Sequence, residues 1–373
     1  MTCSFLHSGK LEAALYVSLA IDSHSQEVLT MAAETLPLVW LLGTGGTISL
    51  WAPPRLRFVE HETGQRIDVH QNLERIPEAQ QFVQTKAEQL FFADSLIKTP
   101  ELLELSNKIN AIFNENPDVS GIVVTHGTYT MEETAYWLHL TVRSDRPVVV
   151  TGCQRPPSAM GTDADNNLLG SLILAGSEEA RGKGVMICMN DEINAAREVT
   201  KTNSHRLETF QSRELGFLGY LDSDLRAKFY RQSTRKHTYQ SEFDISDLKD
   251  LPRVDIVYDY QDSDGVAVRA FAQAGAQGIV LAGRNAGGGL GTRGTQEDPG
   301  LSSEALRDAR DRGLAVVATN RNGAGQMIRS SRERELGVVA GDNLSAQKAR
   351  ILLRLALTKT RSPEEIQRMF DTY

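Results

Sequence analysis

The residues of this chain best suited to chemistry lie in short polar clusters, most of which directly follow an apolar run. The clusters are Gly43-Thr44-Gly45-Gly46-Thr47, Thr125-His126-Gly127-Thr128-Tyr129, Thr151-Gly152-Cys153-Gln154-Arg155 and, farther on, Lys201-Thr202-Asn203. A threonine hydroxyl is a weak nucleophile until a base takes its proton or its surroundings lower its pKa. A desolvated lysine can act as that base. The glycine run supplies threonines on a turn that glycine permits. It has neither the GxGxxG nor the GxxxxGK[ST] spacing, so it gives only a weak nucleotide-binding signal. Taken singly, Thr47 reads as a turn residue and Lys201 as a solvated lysine; their occurrence together in one chain changes that weighting.

The elements that must position these residues follow from the apolar periodicity. Strands are predicted over 38–42, 121–124, 147–151 and 185–189, then over 254–258, 278–281 and 314–319. Amphipathic helices lie between them, a rhythm that argues a parallel, doubly wound sheet. In such sheets ligands bind outside the carboxyl ends of the strands, where the polar clusters fall. Thr130 and Glu133 have capping-box spacing at the start of one helix. Ser345 and Ser362 are good N-caps for two C-terminal helices, with Pro363 at the first helical position of the last. The fold expected is α/β with two domains: a larger N-terminal, doubly wound, mostly parallel sheet and a smaller C-terminal parallel α/β domain. The boundaries expected are 1–36 as an N-terminal extension without fold role, 37–230, a polar linker at 231–252, and 253–373. Met31, just before the first strand, is a candidate initiator.

Composition excludes several classes. The 373 residues carry 40 Lys plus Arg against 48 Asp plus Glu, a formal net charge of −8. A chain this acidic has no general electrostatic reason to seek nucleic acid or an anionic membrane. The short basic cluster Arg231, Arg235 and Lys236 reads as solvated surface. The cysteines, Cys3, Cys153 and Cys188, are odd in number and match no metal-ligand spacing, which suits reduced thiols in a cytoplasmic protein. The eight histidines show no zinc-binding pattern. No metal or cofactor is expected. The stretch 13–20 is apolar, but Glu12 before it and the single cation Lys10 make a poor secretory signal.

Several motifs in order resemble those of the bacterial-type L-asparaginases. They are Thr44-Gly45-Gly46-Thr47-Ile48, Val124-Thr125-His126-Gly127-Thr128 with Thr130-Met131-Glu132-Glu133-Thr134-Ala135, Arg155-Pro156, Val199-Thr200-Lys201-Thr202-Asn203, Arg235-Lys236-His237-Thr238 and Gln347-Lys348-Ala349-Arg350. They span the chain from the first strand to the C-terminus. The resemblance implies an amidohydrolase that converts, by default, L-asparagine to L-aspartate and ammonia. It implies Thr47 as the nucleophile and Thr128 paired with Lys201. Backbone N–H groups near both threonines would hold the oxyanion, donors worth on the order of 2.7–4 kcal/mol each. Asp94 and Ser95 fall where the family binds the substrate carboxylate. Gly127 falls within the second threonine motif, and the backbone at Cys153 near the leaving amide. Asp262 matches a polar contact to the substrate ammonium. The family assembles as homotetramers, dimers of dimers, each site completed by a neighbour's C-terminal domain.

The chain also departs from the family. Tyr129 stands where the family has the aspartate that binds the substrate's α-ammonium. The partner's second carboxylate falls, in the nearest register, on Arg329, Ser330, Ser331 and Arg332. The lid after Thr47 reads Leu50-Trp51-Ala52-Pro53-Pro54-Arg55-Leu56-Arg57-Phe58, and no tyrosine occurs between Thr47 and Tyr129. An unpaired buried ammonium costs several kcal/mol. The departures suggest the same chemistry on an amide that lacks the α-amino group or bears a different substituent. A third alternative is a ligand-binding homologue without catalysis.

Overall fold

The computed structural model describes residues 36–93, 96–283, 303–329 and 331–373. Pro37–Tyr373 form one compact unit. The expected N-terminal extension, Leu36 apart, and the start at Met31 lie outside the described residues.

The chain builds a two-domain α/β fold. The larger sheet contains β1 (Leu38–Gly45), β2 (Gln84–Ala93), β3 (Val119–Thr125), β4 (Val148–Thr151), β5 (Val185–Met189), β6 (Glu192–Ala195), β7 (Gly219–Leu221) and β8 (Ala227–Phe229). Its order is β8-β7-β6-β5-β4-β3-β1-β2. From β2 through β5 the neighbours run parallel. From β5 to β8 they are antiparallel. The smaller sheet, β9 (Val254–Tyr258), β10 (Gly278–Gly283), β11 (Ala315–Asn320) and β12 (Val339–Ala340), is parallel throughout. The strands expected at 38–42, 121–124, 147–151 and 185–189, and the three in the C-terminal part, are all present. The sequence did not predict strand β2, which is mostly polar over 84–89 and apolar only at its end, or the short antiparallel strands.

Alternation along the strands splits the larger sheet into two buried faces. Val39, Leu41, Val123, Val149 and Met186 pack beneath α4 (Ala164–Gly176), the fourth of the helices after α1 (Val69–Glu74), α2 (Thr99–Glu115) and α3 (Met131–Thr141). Leu42, Ile122, Val124, Val150 and Ile187 pack on the other face with residues of α2 and α3. The smaller sheet has α5 (Val266–Gln273) and α6 (Ser303–Asp311), the short α7 (Ser331–Glu335), and then α8 (Ala346–Ala356) and α9 (Pro363–Thr372). Leu352, Leu353 and Leu355 of α8 belong to the same core as Val280 and Val317 of the smaller sheet and Trp137 of α3. One continuous apolar layer therefore joins the two sheets. The N-caps expected at Ser345 and Ser362 form, accepting from Lys348 N–H and Glu365 N–H.

Two local expectations are corrected. Thr130 does precede α3, but its side chain makes no cap hydrogen bond. Glu133 of the expected capping box is half-buried near Arg350 instead, and its partial burial raises its pKa. The basic cluster is not merely solvated: Arg231 pairs with Glu198, and Arg235 with Asp342 at 2.6 Å. The stretch 231–252 contains no strand or α-helix, yet it buries Phe243 and Ile245 in the main core.

Candidate active site

Parallel pairing puts the ends of the central strands in register. Gly43 lies opposite Thr125, and Thr125 opposite Thr151. The loops that follow β1, β3 and β4 therefore leave the sheet side by side. Thr44 Oγ1 donates to the Thr125 carbonyl at 2.7 Å, and His126 N–H donates to the Thr151 carbonyl at 2.8 Å. Gly46 sits at φ +86°, and a Cβ there would lie 2.2 Å from the Gly127 nitrogen. Only glycine permits both that backbone angle and so close a contact. The two threonine loops thus touch backbone to backbone, which brings Thr47 and Thr128 to one cavity.

That cavity has a volume of about 630 Å³. Its lining includes Thr47, Thr128, Tyr129, Gln154, Arg155 and Lys201. Lys201 comes from a short hairpin, Thr200–Lys201 paired with Phe210–Gln211. Its Nζ donates to Thr128 Oγ1 at 2.7 Å and lies 3.4 Å from Gln154 Oε1. Burial lowers the Lys201 pKa, and Glu132 partly offsets this. Glu132 Oε1 also accepts from the Lys201 N–H at 3.4 Å. Asn203, in the same polar cluster, caps a turn: its Oδ1 accepts from the N–H groups of His205 and Arg206.

The rest of the site is fixed from beneath. The Asp163 carboxylate accepts from the N–H groups of Gln154 and Arg155 and from Asn167 Nδ2. His126 donates from Nδ1 to the Gly127 carbonyl at 2.6 Å and accepts the Thr134 hydroxyl at Nε2, 2.8 Å away. Its ring is buried, and burial pulls its pKa down to about 4. Cys153 is fully buried with its thiol pKa raised by burial, a packed and unreactive side chain.

A lid covers the front. It hangs between the paired segments Leu50–Trp51 and Gln65–Arg66. Ala52 N–H donates to Ser158 Oγ at 2.9 Å, Met160 N–H to the Arg55 carbonyl at 2.9 Å, and Arg155 stacks over the Phe58 ring. The lid brings Phe58, Val59 and His61 to the cavity wall. His61 Nε2 lies 3.2 Å from Thr47 Oγ1.

The structure therefore brings together Thr47, Gly127, Thr128, Tyr129 and Lys201 of the sequence-predicted residues. Asp94 and Ser95 lie outside the described residues. Asp262, in the loop after β9, does not line the cavity of its own chain, and neither does Arg329. Sequence reasoning missed His61, Gln154, Glu132 and Asp163 as individual residues. Gln154 was within reach, since it sits in a polar cluster after a strand. For His61 no spacing signal existed, because its neighbour is set by the lid.

Residues 38–235 match the family model for the N-terminal asparaginase domain, and residues 253–370 match the glutaminase/asparaginase C-terminal domain. The chain is 39% identical over 355 residues to L-asparaginase 2 of Bacillus subtilis (strain 168), covering 94% of this chain and 91% of that protein. It is 36% identical over 369 residues to a glutaminase-asparaginase of Pseudomonas fluorescens biotype A, covering 98% and 97% respectively. The crystal structure of a probable cytoplasmic L-asparaginase from Campylobacter jejuni superposes with a TM-score of 0.83 at 38% identity, covering 91% of this chain and all of that one. With both domains matched and the polar clusters converging on one cavity, the chain belongs to the asparaginase family and is a hydrolase acting on amides.

Proposed function

We propose that this protein hydrolyses a small carboxamide, L-asparagine by default, through a covalent acyl-enzyme on Thr47. Thr47 Oγ1 attacks the amide carbon, the C–N bond breaks, and ammonia leaves. Water then cleaves the ester to release the acid and restore the hydroxyl. The observation that carries this reading is the 2.7 Å hydrogen bond between Lys201 Nζ and Thr128 Oγ1 in the wall of the cavity that Thr47 also lines. A lysine whose pKa is lowered by burial gives up its proton more readily, so the pair is suited to accept one from the attacking water.

One observation favours an amide without the α-ammonium. Among the described residues that line the cavity none is Asp or Glu, while Arg155, Lys201 and His205 are cationic or can become so. Tyr129 is 74% exposed at the mouth, where it offers a phenol in place of a carboxylate. A panel of L-asparagine, L-glutamine and succinamate, assayed by ammonia release, decides between the readings. Loss of turnover in Thr47→Ala is expected with any of them. Succinamate turned over faster than L-asparagine supports the altered substrate, and the reverse order removes it. A compound that raises thermal stability without being consumed, with no amide cleaved, would point to the non-catalytic alternative.

A further inference from the structure

The lid places a histidine against the nucleophile, and the geometry points to His61 as the general base of the acylation half-reaction. This assignment rests on Thr47 being the nucleophile, as proposed above. Among the described residues, His61 is the side chain that hydrogen-bonds Thr47: Nε2 lies 3.2 Å from Oγ1, within reach for proton transfer. The other ring nitrogen settles the direction. Nδ1 lies 3.2 Å from the Phe58 carbonyl oxygen, which can only accept. Nδ1 therefore carries the hydrogen in the neutral ring, and Nε2 presents its lone pair to the Thr47 hydroxyl. The Phe58 carbonyl orients the imidazole and fixes its tautomer, so the base and its orienting group both come from the lid.

The step balances without any further reagent. As the Thr47 Oγ1–carbon bond forms, the hydroxyl proton passes to His61 Nε2. The tetrahedral centre collapses, the carbon–nitrogen bond breaks, and His61 returns that proton to the departing nitrogen, which leaves as ammonia. The Thr128–Lys201 pair stays available for the water of the second half-reaction. The two threonines thus have separate proton acceptors, one on the lid and one on the hairpin. Because His61 sits on the lid, an open lid leaves Thr47 without its base, and attack is coupled to closure.

Few charged and titratable groups surround His61 among the described residues. Glu60 precedes it and Glu62 follows in the chain, and the cavity it faces is lined by Tyr129, Arg155, Lys201 and His205. A protonated imidazole cannot accept the Thr47 proton, so kcat/KM has an acid limb that belongs to His61. The test is kcat/KM against pH for L-asparagine, or for succinamate where that is faster, in the wild type, His61→Gln, His205→Gln and Thr47→Ala. His61→Gln is expected to lower kcat/KM by on the order of 10²–10⁴-fold and to abolish the acid limb. The limb is expected to persist in His205→Gln. An unchanged limb in His61→Gln overturns the assignment, whatever the drop in rate, and so does a limb lost in His205→Gln instead. If His61→Gln does not fold, a wild-type profile with no acid limb overturns it equally. Wild-type turnover in Thr47→Ala would remove the nucleophile itself, whereas an inactive Thr47→Ala beside a wild-type His61→Gln removes only the base.

Discussion

At the scale of single residues, His126 shows how the site's backbone is held. It is buried behind the second threonine loop, donating to the Gly127 carbonyl and accepting from Thr134. Both bonds suit the neutral ring, and burial drives the pKa to about 4 from an ordinary 6.5. The unfolded chain therefore binds a proton that the folded one refuses as pH falls through this window. Stability contributed by the neutral ring is complete above pH 6.5 and is lost progressively as pH falls toward 4, by about 3 kcal/mol in total. Urea unfolding at a series of pH values checks this: His126→Asn should show a shallower loss of stability on the acid side than the wild type. Parallel curves would mean that the folded ring takes up the proton after all.

At the scale of elements, the C-terminal helix α8 reaches into the machinery of the N-terminal sheet. Lys348 projects from its first turn, is almost fully buried, and donates to the carbonyls of Arg197 (3.0 Å) and Val199. Those carbonyls precede Thr200–Lys201, the strand that presents the active-site lysine. Burial pulls the Lys348 pKa down to about 8, with Glu132 opposing the fall. It therefore stays mostly protonated at pH 7 and, with Lys201, faces the Glu132 carboxylate. Lys348→Met should remove both donors and leave Glu132 undercompensated, at a cost on the order of 3 kcal/mol. We expect a lower Tm together with a lower kcat. Chemical denaturation and steady-state kinetics report the two effects, and an unaltered kcat would show that the grip on Val199 does not position Lys201.

At the scale of the whole molecule, the cavity of one chain lacks a residue that the family resemblance assigned to it. Asp262 is exposed at φ +62° in the loop after β9, away from the cavity of its own chain. We propose that it serves a neighbour's cavity in a homotetramer. Sedimentation equilibrium should give four times the chain mass, and Asp262→Ala should raise KM more than it lowers kcat. A monomer with full activity would exclude this arrangement.

The sequence alone determined the buried framework, because the central parallel strands of the larger sheet are covered on both faces and must read as apolar runs. It also determined the threonine clusters, since they directly follow those runs, and the caps at Ser345 and Ser362, which depend on neighbours three residues away. Tertiary structure decided the rest. Strand β2 is half-exposed along nearly its whole length and mostly polar over 84–89, and its pairing with β1 makes it a strand. The capping-box spacing at Thr130 yielded to the placement of half-buried Glu133 near Arg350, a residue far along the chain. His61 meets Thr47 because the lid folds back over the cavity, and no local spacing encodes that contact. Local periodicity records which side of an element is buried; which side chains then meet depends on how the loops close over the strand ends.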